Sequence, residues 1–348
     1  MSRSKTAAAV LGAALLCLSG AGAARAQSPL EDALRLVETD PAAALPALEA
    51  LAAQGDVEAM NGVATIIENP PEGIAADPER SVRLWKQAAE GGSSAARLNL
   101  GSHLLFNDSA ADDAHAVELL EAVEDEQAVA FAAYPLARAY LFGQGVEVDL
   151  ERGSQLMMTA VEADPDNMDA RFLLGRAYQN GWGVPADAAA AFRHLRPAAD
   201  AGDARAQWHV GMMLLNGDGT ARDAALARRY VRASAEREFV DGMISMAVML
   251  ALGQGGPVDA PQAREWYRRA AETGSPHALR GLGAMLLVGE GGDPDPVTGA
   301  AYLELAAKAG DELAPRLQQT LSHLIRAQDP AAVEAAKSRW ITEFGVPR

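Results

Sequence analysis

The amino-acid sequence predicts an all-α protein: an α/α solenoid of about seven helix-turn-helix repeats with a helical cap at each end. Three observations carry that expectation. The segment Leu136–Val146, LARAYLFGQGV, returns as LLGRAYQNGWGV from Leu173, HVGMMLLNGDGT from His209, SMAVMLALGQGG from Ser245 and GLGAMLLVGEGG from Gly281. Aligned on one small residue, the copies sit at Ala137, Gly175, Gly211, Ala247 and Gly283, the last four 36 residues apart, with weaker relatives at Ala64 and Gly101. An aspartate series runs in step with them, at Asp149, Asp187, Asp223, Asp259 and Asp295, with an outlying copy at Asp77. A fixed period of this length marks stacked supersecondary units, each too small to bury its own apolar face.

Residues 1–26 read as a signal peptide. Arg3 and Lys5 precede an apolar stretch from Ala7 to Leu18, and Ala24-Arg25-Ala26 before Gln27 has the A-x-A form of a signal-peptidase site. About a dozen apolar residues are too few to span a bilayer. Cys17 follows Ala14-Leu15-Leu16, which departs from the L-x-[GA]-C pattern of a lipid-modified cysteine. Cleavage after Ala26 would remove Arg3, Lys5, Arg25 and the single cysteine, moving the formal charge from −17 to −20 and sending the mature chain to the periplasm or the exterior. Without disulfides it must hold together by its core alone, which a chain of this length can do.

Residues 27–54 form the N-terminal cap, with helices near 29–38 and 42–54. Ser28-Pro29-Leu30-Glu31 is a capping box with proline at the first helical position. Residues 55–311 form the repeat array. In each unit an A helix ends in a glycine-bearing loop, and an aspartate then starts a B helix, because its carboxylate accepts from the free N–H groups of the first turn and stabilises the helix by about 1 kcal/mol. Alanine-rich turns close the B helices, as in PAADAGD at 197–203, RAAETGS at 269–275 and LAAKAGD at 305–311, placing Gly202, Gly274 and Gly310 where a left-handed residue is expected. The loop glycines at 143 and 145, 181 and 183, 217 and 219, and 253 and 255 fit positive φ angles. Small residues such as Gly211 let two helices approach closely, beside core positions Leu136, Leu174, Val210, Met246 and Leu282. Trp266, if buried, adds a few kcal/mol.

The unit near 95–125 is the outlier. Its loop, Phe106 to Asp113, lacks the G-x-G turn, and its run Glu118, Glu121, Glu124, Asp125 and Glu126 reads as a solvated face without calcium-loop spacing. Residues 312–348 form the C-terminal cap, with helices at 312–326 and 330–344, the second started by Asp329-Pro330.

The pattern the copies share, A-x-x-x-L-G-x-x-Y-x-x-G-x-G-V followed by D-x-x-x-A-x-x-W-Y-x-x-A-A-E-x-G, resembles the Sel1-like repeat, a relative of the tetratricopeptide repeat. The fullest copy runs from Asp259 to Gly274, where Ala263, Trp266, Tyr267, Ala270, Ala271 and Glu272 all fall in place. The resemblance covers roughly residues 55–311. It implies a protein-interaction scaffold, adaptor or regulator in the cell envelope, with roles such as regulating a sensor kinase, organising envelope or polysaccharide machinery, or mediating host contact.

No catalytic, cofactor or metal site is expected. His103, His115, His194, His209, His277 and His323 are scattered without ligand spacing such as H-E-x-x-H, and neither G-x-S-x-G nor, in the mature chain, S-x-x-K occurs. A second class, a cell-wall-fragment or β-lactam binding or hydrolysing protein, is implied by a cysteine-rich branch of the family with a disulfide in each repeat; this chain has none. The acidic balance argues against nucleic acid and anionic membranes as partners, since both attractions depend on Lys and Arg, and favours a protein with a basic patch. No later stretch is long enough to cross a membrane.

The candidate binding residues lie at two positions of the A helix. Three residues before the small residue stand Tyr134, Phe172 and Trp208, flanked by Leu98 and Ile244; just after it stand Arg138, Arg176 and Met212. By analogy with tetratricopeptide packing, both positions face the concave surface. Two roles fit. Aromatics beside arginines make binding hot spots, and aromatics at this position also fill the space between repeats.

Overall fold

The computed structural model describes residues 28–107 and 110–347. The expected signal peptide and Cys17 lie outside the described residues, as does part of the Phe106–Asp113 loop. Among the described residues there are 19 helices and no strand. Their order is that of an α solenoid, in which helices alternate along the chain as A and B members of successive pairs.

Contacts divide the chain into two compact units, one ending at Ala186 and the other starting at Asp187. The first holds helices Pro29–Thr39 and Pro41–Ala52, then the pairs Val57–Glu68 with Pro78–Glu90, Ser94–Phe106 with Asp113–Glu121, and Glu126–Phe142 with Leu150–Ala163, and last Met168–Asn180. The second opens with Ala188–Asp200 and continues with the pairs Ala204–Asn216 with Ala224–Glu236, Val240–Leu252 with Ala260–Glu272, and Pro276–Val288 with Pro296–Lys308. It closes with Ala314–Thr320, Ser322–Ile325 and Pro330–Phe344. No described helix is long and apolar enough to cross a membrane.

The aspartate series does what its chemistry dictates. Asp77, Asp149, Asp187, Asp223, Asp259 and Asp295 each accept from the backbone N–H three residues on, at 2.9 to 3.1 Å. A second series, which the repeat pattern did not reveal, starts the A helices. Asp56, Ser93, Asp125, Asn167, Asp203 and Ser275 make the same bond. At the junction before Val240–Leu252 the series breaks: Phe239 stands at the cap with no side-chain bond, and Glu238 before it has φ 61° where the neighbouring junctions carry glycine. The predicted Gly202, Gly274 and Gly310 have φ of 95°, 86° and 91°.

The G-x-G loop carries two separate requirements, illustrated by Gly217 and Gly219. Gly217 ends helix Ala204–Asn216 in the left-handed conformation, φ 87°. Gly219, also left-handed at φ 67°, lies against the first turn of the preceding B helix, so closely that a Cβ would overlap the Ala188 carbonyl. Gly183 meets the Leu150 carbonyl and Gly255 the Ala224 carbonyl in the same way. The second glycine is therefore the place where each repeat docks its loop on the residue that follows its predecessor's capping aspartate.

Helix pairs close on the small residue. A Cβ on Gly211 would stand 2.6 Å from Val231 Cγ2 and 3.2 Å from the Ala227 carbonyl oxygen; on Gly283, 2.9 Å from the Gly299 carbonyl oxygen. At the chain ends, Ala33, Leu34, Val37, Ala44 and Leu48 share a core with Val63, Ile66 and Ile67, while Val333 and Ala336 pack with Leu287, Ala300 and Leu303. The expected capping box is present, Ser28 and Glu31 each accepting from the other's backbone N–H.

One helix differs from expectation. The helix expected at 312–326 is broken at Leu321, after Thr320 turns its hydroxyl back to the Arg316 carbonyl, a bond that weakens a helix from within. Trp266 is only half-buried, its ring lying under the Arg269 guanidinium at 4.5 Å.

Candidate partner-binding face

In the first unit, helix Glu126–Phe142 presents Tyr134 and Arg138 one turn apart. Tyr134 is buried, 5% exposed, and its ring stacks on Phe106 with centroids 6.3 Å apart at 24°. The Arg138 guanidinium lies 4.7 Å from the same Phe106 ring. Phe106 thus serves both, a role its own sequence context hid because its repeat lacks the loop motif. In helix Met168–Asn180 the same two positions hold Phe172 and Arg176. Phe172 is 7% exposed, and Arg176 lies 5.6 Å from the Trp182 ring, which meets the half-exposed Phe142 edge-on at 6.5 Å. Burial lowers the Arg176 pKa, yet a guanidinium stays charged at any physiological pH. Each arginine–ring contact contributes about 0.5–1 kcal/mol.

In the second unit, Trp208 is half-buried. Its Nε1 donates to Ser245 Oγ at 2.8 Å, and its ring meets His209 at 4.7 Å and Phe239 at 6.0 Å. Met212, one turn on, is also partly exposed. The six predicted residues therefore separate by burial. Tyr134 and Phe172 lie in the interior, where a partner cannot reach their rings, and Phe106 stacks on the first of them. Arg138, Arg176, Trp208 and Met212 retain accessible surface. Spacing alone identifies the face of the helix but not the size of the side chain that covers it.

His103 and His277 lie against carboxylates. His103 Nδ1 lies 3.2 Å from Glu68 Oε1, and His277 Nδ1 lies 2.7 Å from Asp311 Oδ2, which also accepts from Arg280 Nε at 3.0 Å. Burial pushes the Asp311 carboxyl up, but these bonds and the Ala314 N–H outweigh it and hold the carboxyl below the usual range. Among the described residues no three His, Cys, Asp or Glu side chains gather as a metal site would require. The acidic run is exposed: Glu121 accepts from Tyr140 Oη at 2.5 Å and from Arg152 at 2.7 Å, Glu118 lies 3.7 Å from His115 Nδ1, and Asp125 caps helix Glu126–Phe142.

The family model for the Sel1 repeat matches residues 57–93, 130–157, 169–203, 204–239, 240–275 and 276–311. The chain belongs to the Sel1 repeat family. Sel1 repeat proteins serve as protein–protein interaction scaffolds and are typically non-catalytic. The segment the family model passes over, 94–129, contains the pair Ser94–Phe106 and Asp113–Glu121, the divergent unit lacking G-x-G. The fold is similar to the crystal structure of a Sel1 repeat protein from Oxalobacter formigenes, at 23% identity and a TM-score of 0.55 over 66% of this chain and 98% of that one. A protective antigen of uropathogenic Escherichia coli strains, also displaying an SLR fold, aligns at 17% identity and a TM-score of 0.47 over 97% of this chain and 92% of that one. No curated protein matches the chain.

Proposed function

We propose that this Sel1 repeat protein is an exported scaffold or adaptor of the cell envelope, binding a partner protein through the exposed positions of its A helices. The observation that carries the binding surface is the split in burial: Trp208 keeps accessible surface at the position where Tyr134 and Phe172 are buried, and Arg138, Arg176 and Met212 keep it one turn further on. Trp and Arg are the residue types that dominate hot spots. Export is supported by the Arg3/Lys5 n-region, the apolar stretch and the Ala24-Arg25-Ala26 site.

Charge selects the kind of partner. Residues 28–186 hold 27 acidic side chains against 9 Lys and Arg, whereas residues 187–348 hold 20 against 18. The excess negative charge therefore belongs to the first unit, and a partner presenting a basic patch is drawn there.

Two measurements test the reading. Sequencing the N-terminus of protein recovered from the native host should find Gln27; an intact Met1 or an acylated Cys17 would remove the export claim. For a partner captured from envelope extract, Trp208→Ala should weaken binding by roughly 2 kcal/mol or more while leaving the thermal midpoint nearly unchanged. A large loss of stability with unchanged affinity would assign Trp208 to packing.

A further inference from the structure

The repeats act as their own controls, and one of them differs in charge from both neighbours. At three positions of the B helix, the helix Ala224–Glu236 carries Arg228, Arg229 and Arg232. One period later the same positions are Arg264, Glu265 and Arg268, and one period earlier Phe192, Arg193 and Arg196. In the later repeat Glu265 and Glu272 both bind Arg268, and in the earlier one Arg196 lies 3.6 Å from Asp200. In the middle repeat neither Arg229 nor Arg232 makes an ion pair or hydrogen bond with any described residue, and both are exposed.

These three arginines line an open cleft of about 490 Å³, whose other side is formed by the loop Gly255–Asp259 and by Gln262. Arg228 is 8% exposed; one guanidinium nitrogen donates to the Pro257 carbonyl at 3.0 Å, while its Nε is buried without an acceptor among the described residues. Asp259 also lines the cleft and its charge acts on Arg228 while one of its oxygens accepts from the Gln262 N–H, so three guanidiniums stand against one carboxylate and the site stays positive. Pro257, Leu250 and the exposed Val258 supply an apolar wall beside the cations. Like charges crowded against a low-dielectric wall are unfavourable until an anion joins them. A guanidinium's fixed fork matches an oxyanion better than a point charge does.

We infer that this cleft is a binding site for a carboxylate-bearing ligand with an apolar portion, contributed either by an acidic peptide segment or by a free organic acid. The charge comes from Arg229 and Arg232, with Arg228 holding the loop that forms the far wall. In the next repeat the equivalent space carries Glu265 and Asp293 in place of Arg229 and Pro257, which disqualifies it for the same ligand.

The test uses the full mature chain and two probes at constant ionic strength: 4-phenylbutyrate, and a synthetic peptide of alternating Glu and Leu, each titrated calorimetrically. Arg229→Glu installs the arrangement that the neighbouring repeat already folds with, so its thermal midpoint should match the wild type. Wild type should bind at least one probe, and Arg229→Glu should weaken that binding by about tenfold or more. Arg193→Glu, the same charge change one repeat earlier, should leave it unchanged. Peptide-only binding points to a segment of a protein and phenylbutyrate-only binding to a free acid. Binding of neither probe, equal binding by Arg229→Glu, equal weakening in Arg193→Glu, or preference for inorganic phosphate over both probes would each overturn the assignment.

Discussion

The helix pair Ser94–Phe106 with Asp113–Glu121 and the pair Ala204–Asn216 with Ala224–Glu236 pack alike from unlike sequences. The second has the G-x-G loop, a capping aspartate on its B helix and a match to the family model; the first has none of these, and Asp112 at its B-helix cap makes no side-chain capping bond. Yet both close on the same contact. A Cβ on Gly211 would meet Val231 and the Ala227 carbonyl; one on Gly101 would stand 2.7 Å from Leu120 Cγ and 2.9 Å from the Ala116 carbonyl oxygen. The difference separates two functions that the repeat pattern fuses. The small residue closes a pair, while the loop glycines join a pair to its predecessor. Even the divergent pair receives such a junction, since Gly145 of the following repeat lies against the Asp113 carbonyl.

The largest effect should come from breaking a junction. Gly219→Val imposes a branched side chain on a left-handed residue, costing about 1–3 kcal/mol, and forces the loop off the Ala188 carbonyl at about 1–3 kcal/mol more. A urea midpoint drop equivalent to about 4 kcal/mol is expected, and a drop below about 1 kcal/mol would mean the junction is loose.

Next come the pair contacts. Gly101→Leu and Gly211→Leu should each cost about 1–3 kcal/mol by overpacking. Similar losses in thermal melts would establish that both pairs depend on the contact. A silent Gly101→Leu would show that the divergent pair does not rely on it.

The divergent pair has an anchor of its own, which pH can release. Burial and the hydrogen bond to Glu121 push the Tyr140 hydroxyl from its ordinary 10.0 up to about 12. The folded chain favours the neutral hydroxyl, so this stabilisation is complete below the unfolded value and disappears as pH rises through the folded one. Between about pH 9 and about pH 11, wild type should lose on the order of 1–2 kcal/mol more than Tyr140→Phe. Parallel stability profiles for the two proteins would contradict this.

The smallest effect is a gain. Glu238→Gly relieves a left-handed non-glycine and gives up only the 3.8 Å pairing with Arg269, which contributes little at an exposed site. Relief of the left-handed strain, about 1–2 kcal/mol, less the added chain freedom of glycine, about 0.5–1 kcal/mol, leaves an expected rise of about 0.5–1 kcal/mol. Destabilisation would show that the Arg269 pairing outweighs the backbone strain.

The same comparison explains what could be read in advance. Asp223 and its equivalents, and the signs of φ at Gly217 and Gly202, follow from interactions within a few residues, so a one-dimensional pattern contains them. The reason for Gly219 does not, because the carbonyl it meets is some thirty residues away and the sequence records only that a glycine stands there. The candidate face was legible as a helix position and not as a surface. Burial of Tyr134 depends on Phe106, in the one repeat without the loop motif, and the partial exposure of Trp208 depends on Ser245 and Phe239, where the capping series breaks. The arginine cleft was likewise invisible until the positions one period apart could be set against the pairs they form.

The junction glycine has a consequence for how such a chain can grow. Residues 223–258 begin with the aspartate that caps a B helix and end just after Gly255, the glycine that docks on the Ala224 carbonyl. Copied in frame, this segment would bring both halves of the junction with it: the old loop would seat on an old helix, and the new loop on an identical new one. Nothing at the seam would have to be invented, and unequal crossing-over within the gene could lengthen the protein by a whole repeat at a single step.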